Sequence, residues 1–421
     1  MGLSLRFKPT GSDQGVEGMS RSQPFTTVGA RLRLAREAAG LSLDQMALRT
    51  HYGKTTLTYY ERGFRPVTSE VIAQYEEALG TPIDLDSVAT LEYVGRADVD
   101  RRSFIRGAAY TVGLSALALA NGEDLARIMA QSGGSVAGVR TVEAIRRVTD
   151  SFIVADETLG GGAMRTAVAE FLASDVATVL RGRFASEAVR GQAFSAAAEV
   201  AYLAGWKAHD SGLDGLAQRY YLCARNLARE SGDAGHEAFI LRILALQGCD
   251  LGQRVYSVRL AEASLARAKE GAVDEDTEAL FHVAVARCQA ETGDTSGAAR
   301  TMSRAPRLLS ERTENAPRWA AQWCSNKATL LNQAAKTFTA MGDAKESVQF
   351  LAEVTGQWDP NSKARIWALS MAELGHAQWD VGDAASATRT WSEALPVLQR
   401  LDSDRTSKAA AAINLAMVGG K

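Results

Sequence analysis

Glycines recur in the C-terminal half of the chain at one point of a repeated helical pattern. Gly212, Gly293 and Gly382 each separate two stretches whose apolar residues return every three or four positions. After each glycine the same offsets are apolar, namely Ala217, Tyr221 and Ala224, then Ala298, Met302 and Ala305, then Ala387, Trp391 and Ala394. Gly342 keeps this frame, whereas the match around Gly252 is poorest. Since stacked helical hairpins bury such faces against their neighbours, the pattern predicts a helical array over about 195–400.

The turn glycines lie 40 to 49 residues apart, a longer period than that of the best-known helical hairpin repeats. The layout still resembles tetratricopeptide repeats with lengthened helices, because small residues let the paired helices approach. This resemblance extends to divergent hairpins over 138–195. It also implies that the first helix of each hairpin lines a concave surface. Alignment on the turn glycines places eight residues there: Tyr202, Trp206, Arg242, Arg287, Asn332, Lys336, His376 and Trp379.

These eight residues form a candidate pocket for a peptide or small-molecule effector. Asn332 can hold a peptide backbone through paired hydrogen bonds, and the three cationic side chains can receive carboxylates. Trp206 and Trp379 can cover apolar groups. The alternative is that these residues only pack in the array or face water.

A different pattern near the N-terminus predicts three short helices joined by tight turns. Apolar residues recur at helical spacing from Val28, and Gly40 is placed to end this first helix as a left-handed cap. Ser42 can cap a second helix. A third helix, residues 54–62, follows a Tyr52-Gly53 turn. This arrangement is typical of a helix-turn-helix, whose second partner can enter the major groove of DNA.

The stretch "LSLDQMALRTHYGKTTLTYYERGFRPVT" resembles the helix-turn-helix of Cro and phage-repressor regulators, the xenobiotic-response-element family. The matching features are Leu41-Ser42, Met46-Ala47, Thr56-Leu57 and the Glu61-Arg62-Gly63 ending, followed by Arg65 and Pro66. The resemblance covers roughly residues 28–80. The chain departs from the family at His51, where Gly is usual, and at Gly53, where a Ser or Thr cap is usual.

The resemblance to this family assigns two sets of residues in the head. It implies a structural ion pair between Arg36 on the first helix and Glu61 near the end of the recognition helix; the alternative is two unrelated surface charges. It also implies that base edges are read from Lys54, Thr55, Thr58 and Tyr59. Arg62 and Arg65 suit the phosphate backbone, where contacts set the register without carrying sequence information.

The segment "DRRSFIRGAAYTVGLSALALA", residues 100–120, has the outline of a twin-arginine export signal. It lies behind the predicted DNA-binding domain, whereas such a signal works at the N-terminus. We therefore expect a packed apolar helix over 101–120, with a signal in a shorter product as the alternative. The predicted domains are a flexible tail (1–25), the helix-turn-helix domain (26–82), a linker with that helix (83–137) and the repeat domain (138–421).

The sequence contains no pattern that favours catalysis. Its five histidines form no metal-binding pair at helical spacing, and neither a nucleophile elbow nor a phosphate-binding loop with Gly-Lys-Ser is found. The glycine-rich segment from Gly160 to Gly162 is not followed by Gly-Lys-Ser. We expect no enzyme activity, no metal and no cofactor.

The charge of the chain is locally rather than globally basic. The formal net charge is -2 over 421 residues, whereas residues 1–65 carry ten Lys or Arg against five Asp or Glu. No apolar run reaches the ~20 residues needed to cross a bilayer. A cytoplasmic protein without a membrane partner is expected.

A regulator head followed by such an array resembles two groups: peptide-pheromone receptors of Gram-positive bacteria and actinobacterial regulators of development, conjugation or secondary metabolism. The predicted fold is all-α, a helix-turn-helix domain followed by a tetratricopeptide-like α-solenoid. The predicted function is a homodimeric, signal-sensing transcriptional regulator that binds a double-stranded DNA operator. The alternative is a repeat scaffold that holds a protein partner, with DNA binding secondary.

Overall fold

The computed structural model describes residues 28–62, 64–65, 67, 69–81, 83, 136–304, 316–322 and 326–419. The described residues between 28 and 65, with those of 72–83, belong to one compact unit, called the head here. Those from Val136 onward belong to a second, called the repeat unit. The predicted all-α fold is confirmed. The predicted tail 1–25 and apolar helix 101–120 lie outside the described residues.

The head contains α1 (Val28–Ala38), α2 (Leu43–Arg49), α3 (Lys54–Glu61) and, from Ile72 onward, α4 (Ser69–Leu79). Local sequence signals set the ends of these helices. Gly40 follows α1 with φ +68°, as the left-handed cap requires. The Ser42 side chain accepts from the backbone N–H of Gln45, and the Gln45 side chain accepts from the backbone N–H of Ser42. The predicted caps at Gly40 and Ser42 are therefore confirmed.

Apolar residues from α1, α2 and α3 meet in the core of the head. Leu32, Met46 and Leu57 are fully buried. Gly29 lets α1 cross α3 closely, because a Cβ at this position would lie 2.2 Å from the carbonyl oxygen of Tyr60. The same packing turns the opposite side of α3 away from the core.

The repeat unit begins with α5 (Val139–Leu159), α6 (Arg165–Phe171) and α7 (Ala177–Arg181), with a π-helical segment Leu172–Val176 between the last two. The strands β1 (Val136–Ala137) and β2 (Arg183–Phe184) pair in parallel. Among the described residues, five hairpins follow: α8 (Glu187–Asp210) with α9 (Asp214–Glu230), α10 (Ala234–Asp250) with α11 (Arg254–Glu270), α12 (Glu275–Glu291) with α13 (Thr295–Met302), α15 (Asn326–Met341) with α16 (Ala344–Thr355), and α17 (Ala364–Asp380) with α18 (Ala384–Arg400). The last described helix is α19 (Asp404–Gly419), and α14 (Arg318–Ala321) lies between the third and fourth hairpins.

The five turn glycines that define the repeat period all join the two helices of a hairpin. Each has φ between +71° and +87°, including Gly252, where the sequence match was poorest. In three hairpins the next residue is an aspartate that caps the second helix through its side chain: Asp294, Asp343 and Asp383. The Gly-Asp pair therefore ends one helix and starts the next.

The longest spacing between turn glycines, from Gly293 to Gly342, contains an additional short helix, α14. The Trp319 ring stacks on His236 with 5.5 Å between ring centroids, and its Nε1 donates to Asp233 at 2.9 Å. Arg318 Nε donates to a carboxylate oxygen of Glu199 at 2.9 Å. These contacts hold α14 against α8 and α10.

The first and last parts of the repeat unit are in contact. The backbone N–H of Gly162, after α5, donates to the carbonyl oxygen of Asp402, before α19, at 2.8 Å. The backbone N–H of Asp402 donates to the carbonyl oxygen of Leu159 at 2.8 Å. The hairpins between these segments share one cavity.

Candidate functional site

The six predicted DNA-contacting residues lie on α3 and directly after it. Lys54, Thr55 and Tyr59 are exposed and Thr58 is half-buried, on the side of α3 away from buried Leu57. Arg62 and Arg65 follow the helix and are exposed. The structure therefore brings all six onto one accessible surface.

Two of these side chains have partners that preset their positions. Lys54 Nζ lies 2.7 Å from an Asp44 carboxylate oxygen on α2, and its ammonium keeps further N–H donors for a base. The guanidinium of Arg65 lies over the Tyr59 ring at 5.9 Å. The backbone N–H of Phe64 also donates to the carbonyl of Tyr59 at 2.8 Å. The end of α3 and the following loop are thus joined.

The structure pairs Arg36 with Glu61 through two hydrogen bonds. Arg36 Nε donates to Glu61 Oε1 at 2.6 Å and Nη2 donates to Oε2 at 2.7 Å. Arg36 also donates to the carbonyl oxygen of Leu41 at 2.7 Å. The bond to Glu61 raises the pKa of Arg36 against the opposing effect of burial. This bidentate pair fixes α1 against the end of α3.

Sequence reasoning missed a third member of this network on α4. The Tyr75 hydroxyl donates to Glu61 Oε1 at 3.0 Å, and Tyr75 is fully buried. Burial, and then the Glu61 charge, raise the pKa of Tyr75 well above its usual range, so the phenol stays protonated. A tyrosine in an apolar helical pattern carries no sequence signal for such a partner.

The repeat unit contains a cavity of about 170 Å³ whose wall includes six of the eight predicted ligand residues, Tyr202, Trp206, Arg242, Arg287, Asn332 and Lys336. They come from α8, α10, α12 and α15, the first helices of four hairpins. The volume far exceeds the ~10–15 Å³ that one water requires. The cavity can therefore hold a small organic molecule.

His376 and Trp379 do not line this cavity, which corrects two of the predicted positions. Their rings pack on Trp391 of α18, with centroid distances of 5.0 Å and 5.6 Å. On α17 the wall is formed instead by residues nearer its start, including Arg365 and Glu373. Counting back from the turn glycine therefore does not predict which residues of α17 line the cavity, because α17 also packs against α5, at the far end of the repeat unit.

Several polar residues in the wall are held by each other. Arg287 contacts Asp250 and also donates to Gln333 at 3.0 Å. Lys336 lies 3.0 Å from Glu373. Although burial opposes ionisation, the charges of Arg287, Lys336 and Arg405 lower the pKa of Asp250 to about 2. Neighbouring helices are thus bridged across the wall.

Arg365 joins the two ends of the repeat unit in a buried charge cluster. Its guanidinium lies 2.5 Å from Asp156 and 2.8 Å from Glu157, both on α5, and 3.6 Å from Asp210 on α8. Although burial opposes its charge, these three carboxylates raise the pKa of Arg365 well above its usual value. Sequence reasoning missed this cluster because its partners are far apart along the chain.

Residues 27–91 match the family model described as a helix-turn-helix domain. No curated protein matches the chain. The match spans the four head helices, and helix-turn-helix domains are a common fold of DNA-binding regulators. The head is therefore a helix-turn-helix domain that supports a role in DNA binding.

Among the described residues, no helix has the length and apolar character needed to span a membrane.

Proposed function

We propose that this protein is a sequence-specific transcriptional regulator whose repeat unit dimerises and senses a peptide or small-molecule signal. One observation supports DNA binding most directly. The exposed side of α3 presents Lys54, Thr55 and Tyr59, while its buried side is fixed by the Arg36–Glu61 pair. A rigid recognition helix lowers the ordering cost of binding in the major groove. We assign the protein to the cytoplasm and give it no catalytic role.

We further infer that the head is of the Cro and phage-repressor type. The capping box at Ser42 and the buried pair between Arg36 and Glu61 support this subtype. We also infer that the hairpins are tetratricopeptide-like, with lengthened helices. Two observations support this interpretation: a glycine with positive φ joins the two helices of each hairpin, and the first helices of four hairpins line the cavity.

Signal sensing is proposed from the composition of the cavity wall. Glu157 near the start of the repeat unit and Arg405 near its end both belong to this wall. A ligand bound there would contact both ends, so it can favour one arrangement of the unit over another. In a dimer, such a change alters the separation of two heads relative to DNA half-sites about 34 Å apart.

The test of DNA binding is to map the genomic sites bound in cells and then titrate one of those sites in vitro at several salt concentrations. A regulator gives sequence-specific binding that weakens steeply with salt. Sedimentation of the complex measures whether two chains bind one palindromic site. Capture of one stable partner protein, without DNA specificity, would instead support the repeat-scaffold function.

The test of sensing compares operator affinity with and without cell extract in the wild type, Asn332→Ala and Arg287→Ala. A response that both substitutions abolish supports a signal bound in the cavity. An equal response in all three proteins would place the signal elsewhere. If the affinity never changes, the repeat unit has no sensing role.

A further inference from the structure

Two cysteine side chains from neighbouring hairpins are in direct contact inside the repeat unit. Cys249 lies in the last turn of α10 and Cys288 in the last turn of α12, and their sulfur atoms are hydrogen-bonded at 3.2 Å. Both are free thiols, and both are buried. The two residues are 39 positions apart in the chain, so tertiary packing brings them together.

An ion pair holds the same ends of these two helices. Arg287, which precedes Cys288, donates to a carboxylate oxygen of Asp250, which follows Cys249. α10 and α12 also pack directly against each other. The sulfur atoms of a disulfide are about 2.05 Å apart, so the two thiols need to approach by only about 1 Å to form one. The repeat unit therefore holds this pair close to the geometry of a disulfide.

The two sulfur atoms differ in acidity. The hydrogen bond with Cys288, and then the positive charge of Arg287, lower the pKa of Cys249, although burial opposes its ionisation. The same hydrogen bond, together with burial, raises the pKa of Cys288 well above its usual value. Because the thiolate is the nucleophilic form of a cysteine, Cys249 is the sulfur that attacks an oxidant. Cys288 stays protonated beside it.

The exposure of the two residues gives the same order of reaction and limits the size of the oxidant. Cys249 is 6% exposed, whereas Cys288 has no exposed surface. An oxidant therefore meets Cys249 first. Hydrogen peroxide is little larger than a water molecule and can use so small an opening, whereas a peptide disulfide such as oxidised glutathione is too large to enter.

We propose that Cys249 and Cys288 form a redox site at which a small peroxide oxidises Cys249 and Cys288 then closes a disulfide between α10 and α12. This inference does not rest on the proposed function, since neither DNA nor an effector takes part in the reaction. Asp250 and Arg287 line the cavity, so the disulfide restrains one side of its wall.

The reaction has two steps and consumes one peroxide. The Cys249 sulfur attacks one peroxide oxygen and the O–O bond breaks; the leaving hydroxide takes the thiol proton and becomes water, and Cys249 becomes a sulfenic acid. The Cys288 sulfur then attacks the Cys249 sulfur and the S–O bond breaks; this hydroxide leaves with the Cys288 proton as a second water. Both thiols are thus oxidised, and the peroxide is reduced. A dithiol reductant reverses the process by thiol–disulfide exchange.

The experiment treats the folded full chain with hydrogen peroxide, blocks the remaining thiols with iodoacetamide after denaturation, and maps the cysteines by mass spectrometry. We expect loss of both thiols and a linked Cys249–Cys288 peptide pair that dithiothreitol separates. Oxidised glutathione should produce this pair more slowly than peroxide. Two cysteines that remain fully alkylatable after peroxide would be inert core thiols and would overturn the proposal, as would a cross-link between two chains on a non-reducing gel. Equal or faster oxidation by glutathione would overturn the choice of a small peroxide.

Single substitutions test the separate roles of the two sulfurs. In Cys288→Ser the sulfenic acid on Cys249 has no partner, so it should accumulate and be trapped by dimedone. In Cys249→Ser no dimedone adduct should form on Cys288. Cys223→Ser is the matched control, because Cys223 lies exposed on α9 and should not affect the disulfide. Equal dimedone labelling of Cys249 and Cys288 would contradict their assigned roles, and loss of the disulfide in Cys223→Ser would contradict the pairing.

Thermal midpoints of the reduced proteins identify any variant that fails to fold. If a variant does fail, the peptide map of the wild type alone still decides between a disulfide and two inert thiols.

Discussion

A Cβ atom on Gly160 would lie 2.4 Å from the carbonyl oxygen of Asp402, so the loop after α5 and the segment before α19 are in backbone contact. Gly160 has φ +99° and ψ 162°, a conformation that is essentially restricted to glycine. The contact between the two ends of the repeat unit therefore depends on the absence of a side chain here.

Gly160→Ala should destabilise the repeat unit by at least about 3 kcal/mol, because backbone strain and a backbone clash are added together. Gly252→Ala is the matched control. Gly252 also has positive φ, but its added Cβ would meet nothing within 4 Å, so a loss of about 1–2 kcal/mol is expected. Urea unfolding of both variants measures the difference. Equal losses would show that the contact with Asp402 does not matter for stability.

Glu61→Ala should lower the free energy of unfolding of the head by about 3–5 kcal/mol, since it leaves Arg36 buried without its carboxylate. Asp44→Ala is the control, because Asp44 pairs with Lys54 on the exposed surface of the head and does not contact Arg36. Exposed pairs of this kind contribute about 1 kcal/mol or less. Hydrogen exchange of the α1 and α3 amides in the full chain reports on both. Unchanged exchange in Glu61→Ala would contradict a stabilising role.

Substitutions on and after α3 should weaken DNA binding in two different ways. Lys54→Ala should cost about 1–3 kcal/mol and relax the base preference at one position of the operator. Arg65→Ala should weaken binding to all sequences alike and reduce the salt slope by about one. Titrations against single-base operator variants at several salt concentrations separate the two effects. An equal loss of specificity in both variants would contradict the division into base and phosphate contacts.

The stability of the repeat unit should fall as the pH decreases from about 6.5 to about 4. Burial lowers the pKa of His236 to about 4 from its ordinary 6.5, so the unfolded chain binds a proton in this range before the folded chain does. The stabilisation is complete above pH 6.5 and is lost toward pH 4, with a slope of at most about 1.4 kcal/mol per pH unit from this residue. Urea unfolding at several pH values measures the slope, and His236→Gln should reduce it. A slope unchanged in the variant would assign the effect to other groups.

Much of the local structure follows from the sequence because helix periodicity and capping depend on neighbouring residues. Gly40 and Ser42 delimit the first two head helices through contacts within a few residues of themselves. The turn glycines, from Gly212 to Gly382, mark all five hairpins for the same reason. The sequence by itself therefore determined the all-α class, the helix-turn-helix and the hairpin period.

Tertiary packing decided which side chains meet between distant elements. The residues that alignment on the turn glycines predicts for the cavity wall do line it as far as Lys336 on α15. His376 and Trp379 do not, because the packing of α17 on α18 and α5 turns other residues toward the cavity. Arg365 reaches Glu157 only because the last hairpin returns to the first helix of the repeat unit. Small rotations of each helix accumulate along an array, and no local pattern encodes their sum. The closure of the repeat unit, the buried charge cluster and the wall of the cavity were thus decided by the tertiary structure.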